Sequence, residues 1–224
     1  PNNLMIQDVN AEKAEVLITL DQVNSYLKQA GLDSIKRLPN LTWVDATKAY
    51  YYSFDQKNNC VNLNLLDIDA NNIKKVTSIP SNAENHTITL PSLKVAYTIE
   101  NNLYFADGDR QVQVTDNPEN VVAGQSVHRN EFAINGGIFW SPDGNKLAYY
   151  NMDESMVTDY PLVDVTERVA TAKPIKYPMA GMKSHEVKVH VYDVASGNDL
   201  IVKTGEPAEQ YLTSITWNPD NERV

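Results

Sequence analysis

Glu131 and the adjacent pair Asp153-Glu154 are the side chains of this chain best placed to do charge chemistry. Glu131 lies in Ser126-Val127-His128-Arg129-Asn130-Glu131-Phe132, and the pair lies in Asp153-Glu154-Ser155-Met156. Glu131 has two readings: a solvated loop carboxylate, or a carboxylate held at the rim of a β-unit to bind a cation. Asp153-Glu154 has the same two, with a turn or capping role favoured. Ser126 and His128 have the residue types of a nucleophile and its base. Two apart on a strand they share a face, but no neighbour supplies an orienting acid or an oxyanion hole. Gly124-Gln125-Ser126-Val127-His128 lacks the second glycine of a nucleophile elbow and precedes no helical pattern. His86, His128, His185 and His190 have no metal-ligand spacing and are expected on the surface, with His185 facing away from His190. Cys60 is the single cysteine, which excludes an internal disulfide and argues against a thiolate metal site. No metal and no cofactor is expected.

The elements that would position these groups are mostly short strands. Phe139-Trp140 leads through Ser141-Pro142-Asp143-Gly144 into Lys146-Leu147-Ala148-Tyr149-Tyr150, a hairpin whose turn suits Pro, Asp and Gly. Upstream, Leu20, Val23, Tyr26, Leu27 and Ala30 form the one amphipathic stripe. The predicted helix begins at Asp21 and closes at Gly31. From Leu41 onward, Val-, Ile-, Thr- and Tyr-rich runs alternate with Asn, Asp, Gly and Pro.

Those runs repeat. Thr47–Tyr51, Leu93–Tyr97 and Lys146–Tyr150 place Ala49, Ala96 and Ala148 alike, at roughly the 45–50-residue period of a four-stranded propeller blade. Phe139-Trp140-Ser141-Pro142-Asp143 is echoed by Thr216-Trp217-Asn218-Pro219-Asp220. The extra length between them falls in about 152–185, read as an inserted arm carrying Pro161, Pro174, Pro178 and Gly181. Trp43, Trp140 and Trp217 are expected in blade cores. The fold class expected is therefore all-β: a partial propeller of about three to four blades after a short N-terminal helix, too few for a ring of typically 4–8. Residues 1–38 form the N-terminal segment and 39–224 the incomplete propeller, so the chain reads as part of a longer protein.

Charge and hydropathy exclude other classes. Nineteen Lys and Arg against 29 Asp and Glu leave a net charge of −10, unsuited to binding nucleic acid. No apolar run reaches the length of a membrane span. The start at Pro1, without Met or an apolar signal core, suggests removal of a targeting segment and hence a periplasmic or secreted protein. The sequons at Asn40 and Asn85 read as chance in an Asn-rich chain.

Six ordered stretches carry a resemblance. They are Val127–Phe132, Gly137–Gly144, Leu147–Tyr150, Met152–Val157, Tyr177–Gly181 and Thr204–Pro207. Together they resemble the dipeptidyl peptidase IV family of prolyl oligopeptidase-type serine peptidases, in particular bacterial dipeptidyl and prolyl tripeptidyl peptidases. The resemblance is strong over about 120–224; over 40–119 it rests on the repeats, and 1–38 carries little of it. It implies a propeller of about eight blades followed by a C-terminal α/β-hydrolase domain with a Ser-Asp-His triad beyond Val224. Such enzymes release short peptides from free N-termini, usually after Pro or Ala. The resemblance gives Glu131 the role of binding the substrate's α-ammonium, with Arg129, Asp153 and Glu154 as supporting candidates, and it allows a homodimer of the parent. Consecutive glutamates mark this motif in eukaryotic dipeptidyl peptidases, whereas Arg129-Asn130 precede a single Glu131 here. Dipeptide and tripeptide release both stay open. The alternative is a non-enzymatic propeller that binds a protein or glycan.

Overall fold

The computed structural model describes residues 2–224, with Arg129 described by its backbone alone. Strands β1 (Asn3–Ile6) and β2 (Glu15–Thr19) pair antiparallel and lead into helix α1 (Leu20–Gln29). The helix starts one residue before the predicted Asp21 because Thr19 is its cap. Thr19 Oγ1 accepts from the Gln22 amide at 3.2 Å, and Gln22 Oε1 accepts from the Thr19 amide at 2.8 Å, a reciprocal capping box. At the far end Gly31, at φ +70°, donates to Lys28 O at 3.2 Å, and Leu32 donates to Leu27 O at 2.9 Å. That pair of bonds is a Schellman closure, and it places Gly31 just past the cap as its left-handed residue. Val23, Tyr26 and Leu27 face inward onto Ile18, Leu38, Leu66 and Ile73.

Three blade-like sheets follow. The first runs β3 (Thr42–Trp43), β4 (Lys48–Asp55), β5 (Cys60–Asp67) and β6 (Asn72–Pro80) in chain order. The second holds β7 (Glu84–Ile88), β8 (Val95–Ile99), β9 (Asn102–Asp107) and β10 (Arg110–Gln113), again each beside the next. In the third, β11 (Val121–Ala123) and β12 (Ile138–Trp140) both pair with β13 (Lys146–Asp153). The chain then leaves that sheet for a separate hairpin, β14 (Asp159–Asp164) and β15 (Thr171–Lys176). It returns through β16 (Glu186–Asp193) and β17 (Asp199–Ile201). The architecture is all-β apart from α1, with open sheets in the meander order of propeller blades. Ala49, Ala96 and Ala148, the repeated alanines, are each 0% exposed on β4, β8 and β13. No helix among the described residues is long and apolar enough to cross a membrane.

Two compact units divide the chain. One runs through Asn82 and takes in Ala106–Arg110; the other comprises Ala83–Phe105 and Gln111–Val224. The core of the first is the α1 face against β5 and β6. The second has one cluster around Ala96, Leu103, Phe105, Leu147 and Tyr149, and another around Val127, Ile134, Tyr150 and Val189.

The echoed turns share one geometry. In Ser141-Pro142-Asp143-Gly144, the Gly144 amide donates to Ser141 O at 2.9 Å, and the Asn145 amide donates to Asp143 Oδ1 at 3.0 Å. In Asn218-Pro219-Asp220-Asn221 the corresponding distances are 2.9 and 2.9 Å. Gly144 has φ +68° and Asn221 φ +62°, so an asparagine takes the left-handed place of the glycine.

Two expectations fail. Trp43 is 42% exposed, because β3 is a two-residue edge strand. Trp140 packs half-buried on the second unit's core, and Trp217 Nε1 donates to Phe139 O at 2.9 Å. The histidines also depart from expectation. His128, His185 and His190 are each 8% exposed, and only His86 is at the surface. Each of the three is buried because a second polar group satisfies one of its ring nitrogens.

Candidate functional site

Val127 and Ile134, both buried in the β13–β16 core, pin the ends of a 3₁₀ turn, His128–Ala133. Between them φ is +52° at His128, +60° at Asn130, +51° at Phe132 and +60° at Ala133. Each such residue costs on the order of 1–3 kcal/mol and persists only where its surroundings enforce it. Here the enforcement is visible. Ser126 Oγ donates to Ile134 O at 2.6 Å and also meets Asn130 Oδ1. The Asn130 amide donates to Val127 O and the Ile134 amide to Glu131 O, both at 3.1 Å.

This turn holds Glu131 out into solvent, and Tyr211 meets it there. The Tyr211 hydroxyl donates to Glu131 Oε2 at 3.0 Å. The Tyr211 ring lies 4.5 Å from the His128 ring at 38°, and the Phe132 ring meets it edge-on at 5.0 Å and 75°. Beneath, His128 Nδ1 and His185 Nε2 share a proton contact of 2.9 Å, with ring centroids 4.7 Å apart. Burial pushes the His128 pKa down to about 4; His185 adds to this, and the Glu131 charge opposes it. The Tyr211 phenol is pushed up, first by its bond to Glu131 and then by that carboxylate's charge.

The other sequence candidates are placed differently. Asp153 ends β13, and its Oδ1 accepts from the Ser155 amide at 2.8 Å, as a turn-capping residue does. Hydrogen bonds from Ser155 hold its carboxyl below the usual range. Glu154 donates its amide to Asn120 O at 2.8 Å and lines a cleft of about 340 Å³ with Ser126, His128, Met152, Lys176 and His185. The Arg129 side chain lies outside the described residues. Ser126 and His128 do not pair as nucleophile and base, since Ser126 turns to Ile134 and His128 to His185. A second imidazole does meet an acid: His190 Nδ1 lies 2.7 Å from Asp199 Oδ2, which also accepts from Tyr149 at 2.9 Å. This trio ties β13, β16 and β17 together. Among the described residues no group of three or more His, Cys, Asp or Glu is arranged to hold a metal ion. Tyr211 and His185 are the site residues sequence reasoning missed. Tyr211 stands in a strand-free stretch with no motif of its own, and only the fold brings it to Glu131.

The site is thus an exposed carboxylate, oriented by a phenol, on a turn whose base is a buried imidazole pair. Residues 40–224 match the family described as Dipeptidyl peptidase IV (DPP IV) N-terminal region. The chain belongs to that family. Among curated relatives, the Podospora anserina protein named "Probable dipeptidyl-aminopeptidase B" is 31% identical over 144 residues, covering 55% of this chain and 16% of that protein. The protein of the same name from Pyrenophora tritici-repentis is 29% identical over 178 residues, covering 67% of this chain and 20% of its own length. A crystal structure assigned to dipeptidyl aminopeptidase IV from Bacteroides ovatus superposes with TM-score 0.84 at 38% identity, over 99% of this chain and 30% of that one. Porphyromonas gingivalis dipeptidyl peptidase 4 superposes with TM-score 0.61 at 21% identity, over 88% and 29%, a likeness of fold. The matches therefore cover only 16–30% of the length of these relatives.

Proposed function

We propose that this chain is the propeller portion of a dipeptidyl peptidase IV-like serine exopeptidase that removes di- or tripeptides from N-termini after Pro or Ala. In this reading the propeller portion gates access, and Glu131 binds the substrate's α-ammonium. A C-terminal α/β-hydrolase domain of the same protein supplies the catalytic triad. A periplasmic or secreted location and a homodimer of the parent belong to the same proposal.

The observation that carries it is Glu131 itself: an exposed carboxylate on a turn held against its own backbone preference, with one oxygen already bonded to Tyr211. A carboxylate accepts up to about four hydrogen bonds, so an ammonium with three N–H donors still finds acceptors there. The pairing is charge-assisted, and it strengthens as the site is shielded from water. A carboxylate at a set distance from the scissile bond also explains exopeptidase action, because a chain without a free amine leaves it unpaired.

The test is Glu131→Gln in the full-length enzyme. Losing one charge-assisted pair costs about 1.5–3 kcal/mol, so kcat/KM for unblocked Xaa-Pro substrates should fall by about 10- to 100-fold. An unchanged kcat/KM would remove the assignment.

A further inference from the structure

An exposed glutamate ordinarily samples several rotamers and must give up that freedom when it engages an ammonium. Glu131 differs, because the group that holds it is itself held. The Tyr211 ring is fixed by His128 at 4.5 Å on one side and by the Phe132 edge at 5.0 Å. His128 is in turn fixed by His185 at 2.9 Å, and both imidazoles are buried. Phe132, which reaches back to the tyrosine, follows Glu131 on the same turn. The path from the buried imidazoles to the carboxylate is therefore continuous: His185, His128, the Tyr211 ring, the Tyr211 hydroxyl, Glu131 Oε2.

We propose that Tyr211 is a positioning residue for the α-ammonium site, its hydroxyl presetting the Glu131 carboxylate so that a substrate N-terminus meets one fixed acceptor. This rests on the reading of Glu131 given above. Tyr211 touches no reacting atom; it acts through Glu131. A preset carboxylate binds the amine with less loss of side-chain freedom and at one distance from the scissile bond. The phenol donates without carrying charge, so Glu131 keeps its full attraction for a cation. A lysine in that place would neutralise it.

The experiment is a double-mutant cycle in the full-length enzyme, using an unblocked Xaa-Pro chromogenic substrate. Tyr211→Phe keeps the ring contacts with His128 and Phe132 and removes only the hydroxyl. Tyr211 is 55% exposed, and an unchanged Tm checks that the variant keeps its fold. The expected result is a KM raised about 3- to 10-fold with kcat within about twofold. In the Glu131→Gln background the same substitution should change KM by no more than about twofold, because no charged acceptor remains to be oriented. A structural role for the hydroxyl would give equal losses in both backgrounds. Equal losses, or an unchanged KM for Tyr211→Phe where Glu131→Gln alone is costly, would overturn the positioning role and leave the Glu131 reading standing. A Glu131→Gln enzyme with wild-type kcat/KM would remove both.

Discussion

His128 is neutral where it lies, and its environment keeps it so. Burial pushes its pKa down to about 4, against 6.5 for the free side chain, and the neighbouring His185 reinforces the shift. The Tyr211 ring packs on it, and the Glu131 charge works the other way. A histidine with a depressed folded pKa costs nothing above the unfolded value. As pH falls from about 6.5 toward 4, the unfolded chain takes up a proton that the folded chain refuses, so stability declines across that window. Asp143, Asp153 and Asp193 are held below the usual carboxylate range, chiefly by hydrogen bonds from Ser141, Ser155 and Ser196, so their contributions are lost at still lower pH. The two effects are separable. His128→Phe should lower Tm at pH 7 by removing the bond to His185, yet flatten the slope of Tm against pH between about 6.5 and 4. An unaltered slope would mean that His128 is not the group titrating there.

Among the turns, Ser141–Gly144 holds a glycine that is both left-handed and closely surrounded. Gly144 sits at φ +68°, and a Cβ there would lie 2.8 Å from Ser92 Oγ and 2.9 Å from Thr89 Oγ1. Its carbonyl also accepts from Lys94 Nζ at 2.7 Å, so the turn cannot slide away from these neighbours without losing that bond. Gly108 has nearly the same φ, +60°, with open space around it. Gly108→Ala should therefore cost only the left-handed penalty, about 1 kcal/mol, while Gly144→Ala adds a clash worth roughly 1–3 kcal/mol. Urea unfolding of the two variants measures the difference. Equal costs would show that the Thr89 and Ser92 side chains simply rotate aside.

At the scale of the whole chain, the two compact units each carry an apolar core. His128 is engaged with His185 and His190 with Asp199, neither with Ser126, so the 224-residue chain by itself should leave unblocked Pro-containing peptides intact. Release of a chromophore from such a substrate by the isolated chain would overturn the division of labour proposed here.

Much of this was legible in the residues themselves, for a local reason. The Val-, Ile-, Thr- and Tyr-rich runs, the recurring alanines, the Pro-Asp turns and the Gly31 stop each involve neighbours along the chain, and their backbone chemistry is decided within a few residues. The blade pattern follows from that, while the role read for Glu131 rests on the family resemblance of its motif. What tertiary structure alone decided is who meets whom across long separations. Trp43 lies exposed because its strand is a short edge. Histidines that read as surface groups are buried, since partners on other strands satisfy them. Tyr211 reaches Glu131 from 80 residues away. A hydrogen bond to a distant partner leaves no periodicity in either segment, so the carboxylate could be read from sequence, and the phenol and imidazoles that hold it could not.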